Sequence, residues 1–216
     1  MSLLRRCLPD REAWLEARKE QGIGASEAAA ICGFSKWQTR TELWEIKTGR
    51  RQRKDISSKD YVERGHTTED AVRNFYAALH PEYEIEHHPY DILYFSERPW
   101  LFATLDGQIT DEEHDRRGIL EVKTSAPNSK AAWSEWDGQI PQAYYCQCLH
   151  QLLATGWDFV VLQAALWHHN GDITLKDAYV IERSEHEADI AWVLEQETEF
   201  WDSVQTGKRP GVPIRF

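Results

Sequence analysis

The sequence predicts one mixed α/β domain, and three observations carry the prediction. Its 216 residues suffice for one sizeable core but would make only two small ones. Segments with helical spacing come first, followed by strand-like segments, a helix, a hairpin and a last helix. No repeat, low-complexity tract or Pro/Gly/Ser-rich linker divides the chain, so residues 1–216 read as a single domain. With 41% hydrophobic and 28% charged residues, the composition is globular and sets disorder aside.

Each element has a local reason. From Pro9 to Lys19, Trp14, Leu15 and Ala17 recur among charges as on an amphipathic helix. Gly22 and Gly24 break it, and Ser26 is placed to cap a second helix that closes at Gly33. A third helix is expected over Thr41–Lys47, ended by Gly49. A fourth runs from Thr67 to Leu79, with Val72, Phe75, Tyr76 and Leu79 at helical spacing and His80-Pro81 as its stop. Strand signals follow at residues 83–88, 91–95, 100–109 and 118–124. Pro141–Thr155 reads as a long helix, with proline in its first turn and Gly156 past its end. Residues 159–167 and 172–182 flank His168-His169-Asn170-Gly171 as a hairpin with an Asn-Gly turn. Ser184 and Glu187 suggest a capping box for a last helix ending near Val204.

Charge narrows the function classes. The formal net charge is −11, which argues against a non-specific nucleic-acid coat. Between Lys47 and Lys59, however, six basic residues meet one acid, Arg50, Arg51, Arg53 and Lys54 among them. Such a stripe either holds a polyanion at one face or is a solvated loop. No apolar run approaches the ~20 residues that span a bilayer, and the N-terminal residues show no secretory signal. A cytoplasmic setting with Cys7, Cys32, Cys146 and Cys148 as reduced thiols is the expectation.

Four features could carry chemistry. Leu105–Ile109 and Ile119–Thr124, if paired as a hairpin, bring Asp106 near Glu121. Glu121 and Lys123, two apart on a strand, share a face while Val122 points into the core. Two carboxylates, a backbone carbonyl and an ammonium suit a magnesium ion with a water that Lys123 holds or deprotonates. Asp-Gly also simply marks a turn, and Glu-x-Lys also decorates surfaces. Glu69, opening a helix before the strands, is either a third acid for the same cation or a partner of the helix dipole. Tyr144, Gln147 and Gln151 form a polar stripe on one helix face, for a site or for solvent. Gly22-Ile-Gly-Ala-Ser26-Glu27 lacks the dinucleotide fingerprint and leaves a helix end able to bind phosphate, or a plain N-cap at Ser26. The four cysteines and the adjacent pairs His87-His88 and His168-His169 lack metal-site spacing. Trp37 and Trp44, beside the basic stretch, could stack on unpaired bases.

In this order, Gly-x-Gly-Ala-Ser-Glu, Gly-x-x-x-Glu, Leu-Asp-Gly, Glu-Val-Lys and Tyr-x-x-Gln resemble the lambda-type alkaline exonucleases, or YqaJ-like viral recombinases, from about Trp14 to Gly156. The resemblance implies a PD-(D/E)XK nuclease core, a central mixed sheet flanked by helices. It implies a magnesium-dependent 5′-to-3′ exonuclease on double-stranded DNA ends, with manganese as a substitute. A ring-shaped homotrimer and a single-strand annealing partner are implied with it. Carried over by motif, Glu69, Asp106, Glu121 and the Val122 carbonyl correspond to metal ligands, Lys123 to the catalytic lysine and Gln147 to the glutamine beside the attacking water. Ser26, with Arg18 or Lys19, corresponds to the holder of a 5′-terminal phosphate. Leu149 stands where the family has a second glutamine. Arg50, Arg51, Arg53 and Lys54 are expected to track DNA phosphates. The same acids and lysine also serve a site- or structure-specific endonuclease, and a non-catalytic DNA-binding subunit is the alternative outside catalysis.

Overall fold

Local sequence chemistry accounts for most helix ends in the computed structural model, which describes residues 2–53 and 60–211. Asp10 caps α1 (Arg11–Gln21) by accepting from the Ala13 N–H at 2.9 Å. A 3-10 turn at Ala25–Glu27 leads into α2 (Ala28–Ile31), and α3 (Arg40–Lys47) opens on a Thr39/Glu42 capping box. α4 spans Asp60–Leu79 and α5 spans Lys130–Ser134. α6 (Gln142–Thr155) starts after Pro141 and ends at Gly156, whose φ of 71° favours glycine. α7 covers Glu187–Thr206.

Ten strands form two sheets among the described residues. β1 (Leu3–Cys7), β2 (Ile23–Gly24), β4 (Asp91–Phe95) and β5 (Leu101–Ala103) make a small sheet in the order β1-β4-β5-β2. The larger sheet, in the order β10-β8-β7-β6-β3, uses β3 (Glu84–Glu86), β6 (Gly107–Asp111), β7 (Arg116–Ser125), β8 (Phe159–Trp167) and β10 (Tyr179–Glu182). β9 (Ile173–Leu175) also pairs with β8.

β7 and β8 run parallel, which requires a crossover, here supplied by α5 and α6. β8, FVVLQAALW, is apolar almost throughout because both its faces are covered. On one face Ile119, Val160 and Leu162 pack with Leu149 and Leu152 of α6. On the other, Leu120, Val122 and Val161 pack with Val72 and Tyr76 of α4. Burying each such aliphatic side chain contributes about 1.5–3 kcal/mol. Gly118 faces Phe159 in the parallel register, and a Cβ there would lie 2.3 Å from the Phe159 ring. Only glycine lets the strands approach so closely.

One polar link ties this core together. His150 of α6 meets Glu197 Oε1 of α7 through Nδ1 at 2.7 Å and the Phe102 carbonyl of β5 through Nε2 at 2.8 Å. With Glu197 ionised, two acceptors call for two N–H donors, which is the imidazolium form of the ring. Burial pushes its pKa down, but the Glu197 carboxylate outweighs that and raises it.

Several expectations are corrected. Leu3–Cys7, two apolar residues before two arginines, forms an antiparallel pair with β4 that only a strand far along the chain reveals. Residues 100–109 are not one strand: the chain leaves the small sheet after Ala103 and joins the large one at Gly107. α4 starts at Asp60, and on it Phe75 and Leu79 are exposed while Val72 and Tyr76 are buried. The second arm of the late hairpin is broken into β9 and β10. No capping box forms at Ser184, which sits in a 3-10 turn, and Glu187 pairs with Arg183 Nε at 3.1 Å instead. No helix of the described residues is long and apolar enough to cross a membrane.

Candidate active site

Strand register builds the site. β6 and β7 pair with Gly107 opposite Leu120, so Asp106, one residue before β6, comes level with Glu121. Asp106 Oδ2 accepts from the Val122 N–H at 2.9 Å, and Arg73 Nη1 of α4 donates to the Asp106 carbonyl at 2.8 Å. Arg73 Nη1 also lies 4.0 Å from Glu69 Oε1, one turn earlier on α4. The two-residue period of β7 sends Glu121 and Lys123 toward α6, while Leu120 and Val122 join the α4 side.

Glu121 is 2% exposed, and among the described residues its oxygens meet three donors. Lys123 Nζ lies 2.5 Å from Oε1, and Gln147 Nε2 donates to the same oxygen at 2.6 Å. Gln151 Nε2 donates to Oε2 at 2.5 Å. Lys123 Nζ also sits 5.2 Å from the Tyr144 ring centroid, a cation–π distance. Glu69, Asp106, Glu121, Val122, Lys123 and Gln147 all line one cleft of about 1030 Å³. Arg18 and Ser26 line it too.

Withdrawal from water, then the Glu121 and Glu69 carboxylates, pushes the Asp106 pKa well above the usual aspartate range. Burial would lower the Lys123 pKa, but Glu121 and Asp106 overcome it and raise the value. The raised value favours the ammonium form of Lys123, which donates to Glu121. Three mutually repelling carboxylates beside a strand backbone form an oxygen donor set that suits a hard divalent cation. The donors converge without closing into a cage: among the described residues no three His, Cys, Asp or Glu side chains stand in metal-ligating geometry. The Glu121 oxygens are held by Lys123, Gln147 and Gln151.

The YqaJ-like viral recombinase domain matches residues 13–158, more than half of the chain. The chain belongs to that family. The uncharacterized protein YqaJ of Bacillus subtilis (strain 168) is 30% identical over an alignment of 208 residues that covers 94% of this chain. This YqaJ-like chain spans 59% of that relative's length. An alkaline exonuclease from Laribacter hongkongensis superposes with a TM-score of 0.69 at 18% identity, over 92% of this chain and 94% of that one. Its complex with dAMP gives a TM-score of 0.71 at 19% identity, over the same shares of the two chains. A phage related exonuclease from Haemophilus somnus 129PT superposes at 0.54 and 13% identity, over 86% and 96% of the two chains. These structures share the fold of the YqaJ-like domain: mixed sheets flanked by helices.

Not every sequence expectation lands in the cleft. Of the two basic candidates on α1, Arg18 lines the cleft, lying 4.4 Å from the Trp14 ring centroid. Lys19 is exposed and paired with Glu16 at 2.7 Å. Ser26 lies exposed in the 3-10 turn and is no N-cap; the cap position is Gly24, whose N–H donates to the Glu27 carboxylate at 3.2 Å. Buried Glu27 is in turn neutralised by Lys47 at 2.7 Å and by Arg53. Arg51 pairs with Glu42 at 2.9 Å and Glu45 at 2.7 Å, and Arg50 stacks on Trp44 at 4.4 Å. The basic stretch thus spends the charges of Arg51 and Arg53 on the domain's own acids, and Lys54 lies outside the described residues. Trp44 is buried and donates to the Ser203 carbonyl, which excludes base stacking, whereas Trp37 is 74% exposed.

Two contributors escaped the sequence motifs. Leu149, the position aligned with a second glutamine, is in the core, and Gln151, one turn past Gln147, reaches Glu121 instead. The helical stripe of Tyr144, Gln147 and Gln151 was the signal for it. Arg73 had no motif, and only the folded α4 shows it bridging toward Glu69 and Asp106.

Proposed function

We propose that this YqaJ-like domain, residues 1–216 as one unit, is a magnesium-dependent exonuclease that degrades one strand of linear double-stranded DNA from its 5′ end. Manganese is the expected substitute metal, and a 3′ single-stranded overhang for annealing-type recombination is the product. The observation that carries this reading is the single cleft joining three carboxylates, the Lys123 ammonium and the Gln147 amide to Arg18 and Ser26. Likeness of fold to the alkaline exonuclease supports it.

The chain's own residues have distinct tasks. Glu69, Asp106, Glu121 and the Val122 carbonyl would hold the cation, which when bound supplies positive charge to the scissile phosphate and acidifies water. Lys123 donates to a phosphate oxygen or orients the attacking water, with the Gln147 amide as the second polar group beside it. Arg18 and Ser26 hold the 5′-terminal phosphate and set the register of cutting from the end. A homotrimeric ring and an annealing partner in the cytoplasm complete the proposal.

The test is digestion of strand-labelled linear duplex bearing a 5′-phosphate or a 5′-hydroxyl, beside a closed circle, in magnesium or EDTA. Mononucleotide release from the 5′-phosphorylated strand in magnesium supports the exonuclease. Cutting of closed circles points to the endonuclease, and DNA binding with no cutting points to a non-catalytic subunit.

A further inference from the structure

A second groove, of about 470 Å³, adjoins the cleft. Tyr144 lines both, and β7 passes from one to the other, with Thr124 on the cleft and Ser125 on the groove. Its walls are aromatic: Phe34, Trp37, Trp136 and Tyr144, with Trp136 and Tyr144 in a tilted contact at 5.3 Å between ring centroids. Trp37, 74% exposed, stands in the loop between α2 and α3 and presents a large flat face to solvent. Lys36 on the rim is paired with Glu135, so the groove carries little net charge for tracking phosphates.

We propose that this groove binds unpaired nucleotides of a DNA strand as they pass the cleft, with Trp37 as the platform on which a base stacks. Three observations select that occupant. Stacking on an open indole face needs a base whose own face is free, which duplex DNA offers only at its last pair. The rim's charge is neutralised, so bases rather than phosphates provide the contact. The groove is continuous with the cleft through Tyr144, so a strand can occupy both. Asn128 on the same wall supplies an amide for base edges. The inference rests on the nuclease reading for its biological sense, but the binding itself does not require catalysis.

The experiment titrates wild-type protein, Trp37→Ala and Trp37→Phe with a fluorescent oligo(dT) in EDTA, with blunt duplex as the comparison. Loss of one stacked base predicts roughly tenfold weaker oligo(dT) binding by W37A, with duplex binding changed far less and most of the affinity kept by W37F. Equal oligo(dT) affinity of W37A and wild type overturns the proposal. So does a change in oligomeric state by sedimentation without a change in oligo(dT) affinity, which would make Trp37 a contact between copies. Magnesium-dependent duplex digestion by the wild type, measured in parallel, separates the two readings. Its absence with Trp37-dependent binding intact removes the nuclease and leaves the groove standing.

Discussion

Gln151 and Glu121 meet in the interior, Nε2 to Oε2 at 2.5 Å, with the glutamine fully buried and its own Oε1 without a partner among the described residues. A buried amide that leaves an acceptor unmatched costs about 1–3 kcal/mol, so its geometry serves the carboxylate at the helix's expense. Gln151 orients Glu121 from behind while Lys123 and Gln147 face it from the cleft.

Gln151→Leu should therefore lower turnover by roughly tenfold or more, the loss of one hydrogen bond to a charged group. Its magnesium requirement should rise as well, because Glu121 is no longer held in place. A metal titration of activity and of thermal stability separates this positioning role from simple loss of fold. Gln151→Glu, which sets a like charge against Glu121, should be worse than leucine.

Much of this site is legible in sequence, and the part that is not has a physical reason. Glu121 and Lys123 follow from the two-residue strand period, and Asp106 from antiparallel register. Gln151 follows from helical spacing once Glu121 is placed. Arg73 and β1 depend on contacts between distant segments that no local period encodes. The strand predicted over residues 100–109 failed because the backbone changes sheets between Ala103 and Gly107, which the local pattern does not show. Ser26 failed as a cap because it lies inside the 3-10 turn, whose cap position is Gly24.

Arg18→Gln should weaken the preference for a 5′-phosphorylated over a 5′-hydroxyl end by roughly ten- to hundredfold, the worth of a hydrogen bond between charged groups. Lys19→Gln should leave that ratio unchanged, since Lys19 lies off the cleft and pairs with Glu16. Initial rates on matched duplexes with the two end groups measure both.

The His150–Glu197 pair predicts a stability that falls toward alkaline pH. Its folded-state pKa is raised, so the contribution is complete below the unfolded value of about 6.5 and is lost as pH climbs through the elevated one. Urea midpoints between pH 6 and pH 10 should decline in the wild type and flatten in a His150→Gln, Glu197→Gln double variant. Glu197→Gln alone should be destabilised by about 3–5 kcal/mol, because it leaves a buried charge unpaired.

Lys123→Met should cost about 10²–10³ in rate, as removal of a preorganised donor does. Lys123→Arg should recover part of that loss if charge, rather than proton abstraction, is the contribution. A pH–rate profile of the arginine variant that keeps the wild-type shape supports the donor role.

The most direct test of the central claim is magnesium-dependent nucleotide release from a linear 5′-phosphorylated duplex by wild type, Asp106→Asn and Glu121→Gln, with folding of each checked by circular dichroism. Release by the wild type should stop in EDTA and fall at least a hundredfold in both folded variants. Undiminished release by either folded variant, or none by the wild type, would contradict it.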